Sequence, residues 1–159
     1  MTVANFVPMR PRLSRLDEIY PGYSIYFITF STHERQALLT NPVVHDSLQN
    51  FCLLARERNV LVGRYVMMPD HLHLFVDVGE EMQISLWIKS LKNSLSKTLR
   101  HLGHQAPHWQ KGYFDHLMRS EQSYEEKWLY VRENPVRKRL ISEASEWPYQ
   151  GEVNPLPFD

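Results

Sequence analysis

The chain has 159 residues and a formal net charge of zero, with 43% hydrophobic and 23% charged residues. These values are ordinary for a soluble globular protein and predict a single domain over residues 1–159. The single cysteine, Cys52, excludes an intrachain disulfide. Because no signal peptide is recognisable and no apolar run is long enough to cross a bilayer, the sequence predicts a cytoplasmic protein.

The basic residues are concentrated in one part of the chain. Residues 82–140 hold 11 Lys and Arg against 5 Asp and Glu, whereas the remainder holds 7 basic and 13 acidic residues. Such an asymmetry can produce a one-sided positive field that attracts a polyanion. A solvated mixture of charges is the alternative explanation.

Hydrophobic periodicity and turn residues predict the elements in chain order. They are a loose arm over residues 1–20, a strand over 23–32, a helix over 42–58, a strand over 60–67, a strand over 71–78, a helix over 83–101, a strand over 113–120, a helix over 123–134 and an acidic wrap over 141–159.

Capping residues mark the ends of the predicted helices. Asn41 is predicted to cap the first helix, and Gly103 to end the second. Ser123 is predicted to cap the third helix with Glu126 as its capping-box partner, and Pro135 to stop that helix.

This order of elements is that of the split βαβ, ferredoxin-like fold. The sequence therefore predicts an α+β domain with an antiparallel sheet. Two crossover helices would cover one face of the sheet, and the C-terminal helix would lie near the other.

The segment His71-Leu72-His73 lies in an apolar run that reads as a central strand. Side chains alternate between the two faces of a strand, so both imidazoles are predicted to project from one face. Leu72, Leu74 and Val76 would face the helices, and Phe75 would share the open face with the histidines. Two imidazoles side by side form half of a metal site.

The third helix offers the other half of the site. Tyr124, Trp128 and Val131 share one stripe that is typical of a core contact, whereas Tyr130 lies off this stripe, four residues before Asn134. Two neutral histidines and one amide oxygen make an open coordination sphere that suits Mg²⁺ or Mn²⁺. A phenol at Tyr130 would then attack a phosphodiester, and Lys127 is a candidate cation to favour its anion.

The sequence resembles the single-tyrosine HUH transposases, and more closely their REP-associated tyrosine transposase branch. The resemblance covers nearly the whole chain. It rests on residues 26–30 with His33 and Arg35, residues 68–73, residues 109–116 with Arg119, residues 130–136 and residues 147–149.

The resemblance implies that His71, His73 and Asn134 bind the divalent metal and that Tyr130 is the nucleophile. The implied substrate is single-stranded DNA with an imperfect hairpin, and the implied products are a 5′-phosphotyrosine and a free 3′-hydroxyl. Members of the wider family work as dimers and the branch includes monomers, so a homodimer is one expectation. The candidate DNA-binding cations are Lys89, Lys92, Arg100, Arg119, Arg132 and Arg137.

Two features depart from the family pattern. Arg139 stands where glycine is expected after the Asn-Pro-Val segment, so the chain path there is in question. The C-terminal tail is acidic, whereas a hairpin-binding tail is expected to be basic.

Two other functions fit parts of the pattern. One is a zinc-dependent hydrolase in which an acidic residue such as Asp115 is the third ligand and a metal-bound water does the chemistry. The other is a non-catalytic nucleic-acid-binding module of the same fold, which would present stacking aromatics on its sheet face.

Overall fold

The computed structural model describes residues 24–79 and 82–157, so the arm predicted over residues 1–20 lies outside the described residues. Within them, five strands form one antiparallel sheet in the order β4-β1-β3-β2-β5. The strands are β1 (Ile25–Ser31), β2 (Val60–Met67), β3 (His71–Val78), β4 (Phe114–Leu117) and β5 (Gln150–Glu152).

Three of the helices described here occupy the predicted positions, whereas the short fourth helix was not predicted. They are α1 (Pro42–Ala55), α2 (Ile84–His101), α3 (Glu121–Arg132) and α4 (Asn134–Arg137). The Asn41 side chain accepts a hydrogen bond from the backbone N–H of Val43 at 2.8 Å, which confirms it as the cap of α1. Gly103 follows α2 with a φ of 91°, a conformation that glycine adopts without strain.

The first four strands confirm the ferredoxin-like α+β fold. Their order β4-β1-β3-β2 is that of the split βαβ pattern, and β2 and β3 form the predicted hairpin. Strand β4 is shorter than the predicted strand over residues 113–120. Strand β5 was not predicted; it is formed by the C-terminal segment, which pairs with β2. Its three residues, Gln-Gly-Glu, carry no strand pattern of their own.

The two faces of the sheet pack against different helices. Leu72, Leu74 and Val76 lie in the large apolar cluster with α1 and α2, as predicted. Helix α3 covers part of the other face, where Phe75 is buried against Tyr124. The prediction that Phe75 lies on an open face is therefore wrong, because α3 packs on it.

The ends of the third helix differ from the prediction. Ser120, and not Ser123, is the N-cap: its hydroxyl accepts from the N–H of Ser123, whose own hydroxyl accepts from the N–H of Ser120. This reciprocal pair replaces the predicted partner Glu126. The helix ends at Arg132, and Pro135 lies in the first turn of α4, where its missing N–H costs nothing.

The C-terminal segment packs against β2. The indole N–H of Trp147 donates to the carbonyl of Met67 at 3.0 Å, and the side chain of Asn154 donates to the carbonyl of Val62 at 3.1 Å. None of the described helices combines the length and the apolar character that crossing a membrane requires.

Candidate functional site

Strand β3 presents His71 and His73 on the sheet face that α3 covers in part. Their ring centroids are 4.7 Å apart and the rings are nearly perpendicular, at 82°. The side-chain nitrogen of Asn134 lies 3.2 Å from Nε2 of His71 and 3.4 Å from Nε2 of His73. The structure thus brings together the three side chains that the sequence analysis named as candidate metal ligands.

The break between α3 and α4 places Asn134 beside the imidazoles. Glu133 connects the two helices, and the buried ring of Pro135 anchors the start of α4. Two backbone hydrogen bonds, from Arg137 to Glu133 and from Lys138 to Asn134, complete the short helix. The amide is therefore fixed by local backbone geometry and by the burial of one neighbour.

Both histidines are held through their Nδ1 atoms. The hydroxyl of Thr29, which lies opposite His73 in the sheet, is 2.7 Å from Nδ1 of His73. Nδ1 of His71 lies 2.7 Å from Oδ1 of Asp70. An Nδ1–H that donates to an oxygen leaves a lone pair on Nε2, and this is the tautomer that binds a metal through Nε2.

Arg35 completes the surroundings of His71. Its Nε donates to Oδ2 of Asp70 at 2.9 Å, and its Nη1 donates to the hydroxyl of Ser31 at 2.8 Å. Glu34 and Arg35 have φ values of 52° and 56°, in the left-handed region that disfavours residues with a Cβ. The chain thus adopts a strained turn at the point where the guanidinium contacts the carboxylate.

Burial keeps both imidazoles uncharged. It lowers the pKa of His73 to about 3, and the neighbouring His71 and the cations Lys127 and Arg137 act in the same direction. Burial also lowers the pKa of His71, although Asp70 opposes this effect. The Nε2 lone pairs of both rings are therefore available at pH 7.

The chemistry of this donor set fits a divalent cation. Two neutral imidazole nitrogens and one carboxamide face a common point, and the amide offers Oδ1 as a hard ligand beside the softer nitrogens. Across residues 24–79 and 82–157, no three His, Cys, Asp or Glu side chains cluster as a metal site. The candidate third donor is the amide of Asn134, and a cation held by these three groups would keep further coordination positions for substrate oxygens.

Tyr130 lies on α3, away from the buried stripe. Its side chain is 63% exposed, whereas Tyr124 and Val131 on the same helix are buried, as predicted. The guanidinium carbon of Arg137 lies 4.0 Å from the centre of the Tyr130 ring, a cation–π contact. A cation from α4 therefore covers the phenol that the sequence analysis proposed as nucleophile.

Lys127 points to a different ring from the one that was expected. Its ammonium lies 5.2 Å from the centre of the Phe27 ring, which in turn stacks on His73 with centroids 5.3 Å apart. The cation over Tyr130 is Arg137. Sequence periodicity does not predict this pairing, because the two residues are seven apart across a helix break, where no helical spacing rule applies.

The six candidate DNA-binding cations do not form one surface. Lys89, Lys92 and Arg100 lie on α2, which packs on the face opposite the histidines. The ammonium of Lys92 donates to the carbonyls of Gln110 and Gly112, at 3.1 Å and 2.6 Å. The other three lie in and beside α3 and α4, and they are Arg119, Arg132 and Arg137.

Asp115 lies on the wrong face of the sheet to join the histidines. It pairs with Ile28, which belongs to the apolar cluster under α1 and α2, and directly opposed residues share a face. The third ligand suggested for a zinc hydrolase is thus on the opposite side of the sheet from His71 and His73.

The chain is similar to known proteins in sequence and in fold. The family model of IS200-like transposases matches residues 23–134, a range that includes all four candidate site residues. The REP-associated tyrosine transposase of Escherichia coli (strain K12) is 21% identical over 139 residues, which are 86% of this chain and 81% of that protein. An uncharacterized protein of Haemophilus influenzae is 21% identical in a match that covers 74% of this chain and 83% of that protein.

A solved structure shares the fold. It is that of a REP-associated tyrosine transposase bound to a REP hairpin, and it superimposes with a TM-score of 0.63. The match covers 84% of this chain and 89% of that chain at 20% sequence identity.

Proposed function

We propose that this chain, which belongs to the IS200-like transposase family, nicks single-stranded DNA and rejoins it through a 5′-phosphotyrosine on Tyr130. The observation that carries the proposal is the convergence of His71, His73 and Asn134 on one point. Tyr130 lies one turn before Asn134 and is exposed under a cation. The pattern suits a single-tyrosine HUH endonuclease and strand transferase.

We propose Mg²⁺ or Mn²⁺ as the cofactor. His71 and His73 would hold it through Nε2, and Asn134 through its amide oxygen. A bound divalent cation withdraws electron density from a phosphate and so favours attack on phosphorus. Asp70 and Thr29 would fix the two rings in the tautomer that binds the ion.

The proposed reaction conserves the energy of the phosphodiester. The phenolic oxygen of Tyr130 loses its proton to water and forms a bond to phosphorus, while the bond from phosphorus to the 3′ oxygen breaks. The 3′ oxygen takes a proton and leaves as a hydroxyl. In the reverse step a 3′-hydroxyl attacks the phosphotyrosine, which restores the phosphodiester and frees Tyr130 without ATP.

The family suggests the class of DNA. The solved relative is a REP-associated transposase bound to a REP hairpin, and we propose a single strand with an imperfect hairpin as the substrate of this chain. We also propose that the protein acts on this DNA in the cytoplasm.

A covalent-complex assay tests the proposal. The protein is incubated with labelled hairpin-containing single strands and Mn²⁺, and the products are separated on a denaturing gel. We expect a protein–DNA band that disappears with chelator and with Tyr130→Phe. Tyr113→Phe, which removes the hydroxyl of another tyrosine, serves as the matched control and should retain the band.

Other outcomes point to the other functions. Cleavage by Tyr130→Phe without a covalent product would indicate a hydrolase, although Asp115 lies on the opposite face from the histidines. Binding without any cleavage, across several hairpins and both metals, would indicate a non-catalytic module.

A homodimer in which the tyrosine of one copy serves the other copy has its own test. Tyr130→Phe and His73→Ala are each inactive under the proposed mechanism. If the tyrosine of one copy acts at the metal site of another copy, mixing the two variants restores cleavage. If each copy uses its own tyrosine, the mixture stays inactive.

A further inference from the structure

An exposed aromatic ring lies on the same sheet face as the two histidines. Phe114 on β4 is 56% exposed. It pairs directly with Thr29 on β1, and Thr29 pairs directly with His73 on β3. Directly opposed residues of antiparallel strands share a face, so the three side chains form one row across the sheet.

The row brings Phe114 close to the candidate metal ligands. Strands β4 and β3 are both neighbours of β1, so two strand spacings, about 10 Å, separate Phe114 from His73. The hydroxyl of Thr29, between them, contacts His73 Nδ1 at 2.7 Å, which confirms that this row points to the site.

Helix α3 leaves this end of β4 open. Met118, just after the strand, is buried in the cluster that includes Tyr124 of α3. His116 and Phe114, two and four residues earlier on the same face, are exposed. The covered region therefore ends between Met118 and His116, and the face beyond it is accessible.

The electrostatic surroundings favour a polyanion there. The ammonium of Lys127 lies 5.2 Å from the centre of the Phe27 ring, which stacks on His73. Arg35 contacts Asp70, and Arg137 covers the ring of Tyr130. Arg35 comes from the turn after β1, and the other two come from α3 and α4. Cations that follow a phosphate backbone, beside an aromatic ring that stacks on a base, are the usual components of a single-strand binding surface.

Two other side chains with the same exposure lack this setting. Leu53 and Leu86 are as exposed as Phe114, but they lie on α1 and α2, the helices on the other face of the sheet. Scattered exposed leucines are normal on a protein surface. Phe114 differs because it is an aromatic residue on a strand and lies in the same cross-strand row as a candidate metal ligand.

We propose that Phe114 is a stacking platform for an unpaired base of the DNA strand that flanks the scissile phosphate. The proposal rests on the proposed function for its ligand, single-stranded DNA, and adds a contact that selects how the strand crosses the sheet. A stacked base next to the nick would hold the strand in one register relative to His73.

Base stacking on an aromatic side chain makes the test specific. An abasic site is placed in turn at each unpaired position around the nick of a single-stranded hairpin DNA, and affinity is measured with Tyr130→Phe as the background to prevent turnover. We expect one position at which loss of the base weakens binding about 5- to 150-fold. When Phe114→Ala is combined with Tyr130→Phe, intact DNA should bind about 5- to 150-fold more weakly than it binds to Tyr130→Phe alone. An abasic site at the sensitive position should then cause no further loss of affinity.

Two variants control the measurement. Phe114→Trp should restore the affinity, and 2-aminopurine at the sensitive position should be quenched by Phe114 and Phe114→Trp proteins but not by Phe114→Ala. Leu86→Ala removes an equally exposed apolar side chain and should change nothing.

The inference is overturned if Phe114→Ala binds intact DNA as tightly as its parent, or if every abasic site has the same effect with and without Phe114. Failure of the proposed function is distinguishable, because it is measured as absence of a covalent product from the unaltered protein. If that protein forms the product but the abasic scan is flat, only the stacking proposal fails.

Discussion

The two faces of the sheet differ in what they bury, and strand β3 contributes to both. On one face, Leu72 and Leu74 lie in a continuous apolar cluster under α1 and α2. On the other, His71 and His73 lie among an amide, a carboxylate and several cations beside α3. Alternation along one strand therefore places the two histidines on the face opposite Leu72 and Leu74.

The face that carries the histidines combines specific hydrogen bonds around the two rings with a smaller apolar cluster under α3 that includes Phe75 and Tyr124. Each imidazole has a defined oxygen partner at Nδ1, Asp70 for His71 and Thr29 for His73. The strained turn that contains Arg35 brings its guanidinium to Asp70, the partner of His71. Substitutions in the apolar clusters should therefore reduce stability, whereas substitutions of the two histidines and their partners should reduce metal binding and chemistry.

The largest contrast is expected between adjacent residues of β3. Leu72→Ala should lower the free energy of unfolding by about 2–5 kcal/mol, because it leaves a cavity in a core with no solvent access. His73→Ala should abolish Mn²⁺ binding and covalent-complex formation with a much smaller loss of stability. Urea unfolding and Mn²⁺ titration calorimetry measure the two effects. Full cleavage by His73→Ala would contradict the division between the faces.

A second contrast lies within the polar face. Asp70→Asn removes the charged partner of His71 and should weaken Mn²⁺ binding about 10- to 100-fold. Thr29→Val removes a neutral partner of His73 and should weaken it less. Titration calorimetry of the DNA-free protein gives both values. Equal effects would show that the carboxylate and the hydroxyl merely orient the rings.

The cation over Tyr130 should affect the rate of attack. Arg137→Gln removes a positive charge 4.0 Å from the ring, and cleavage at saturating DNA should slow on the order of tenfold. Lys138→Gln removes a neighbouring charge and is the matched control. Single-turnover cleavage rates with both metals provide the measurement. A change in DNA affinity alone would indicate that Arg137 contacts phosphate and leaves Tyr130 unaffected.

The smallest effect is expected at Arg139. Its φ of 58° lies in the left-handed region, which explains why glycine is expected there from the family pattern. Arg139→Gly should raise the free energy of unfolding by up to about 1 kcal/mol, because glycine lacks the Cβ that makes this conformation costly. Arg139→Ala keeps the Cβ and should give no such gain. Urea unfolding of the two variants checks the difference.

Much of the fold followed from local patterns. The apolar alternation of β3, the Asn41 cap and the helical stripe of Tyr124 and Val131 all act over a few residues, so the sequence alone predicted them correctly. Ser120 was missed as a cap because Ser123 and Glu126 offered a second local pattern of the same kind. Strand β5 was missed because its pairing with β2 is a tertiary contact.

The candidate site shows the same distinction between local patterns and tertiary contacts. Strand alternation placed His71 and His73 together, and the spacing of Tyr130 and Asn134 pointed to the third helix; the roles of all four stay predictions. Arg137 over Tyr130 depends on a turn between two helices, which no periodicity describes.

The sequence by itself determined which side chains of each strand and helix share a face, because backbone geometry dictates a period of two or 3.6 residues. Only the tertiary structure decided which faces meet: that Asn134 reaches both imidazoles, that Asp115 cannot, and that Phe114 stands in the row of His73. Contacts between distant segments depend on how strands pair and how helices pack, and neither is encoded within a few residues.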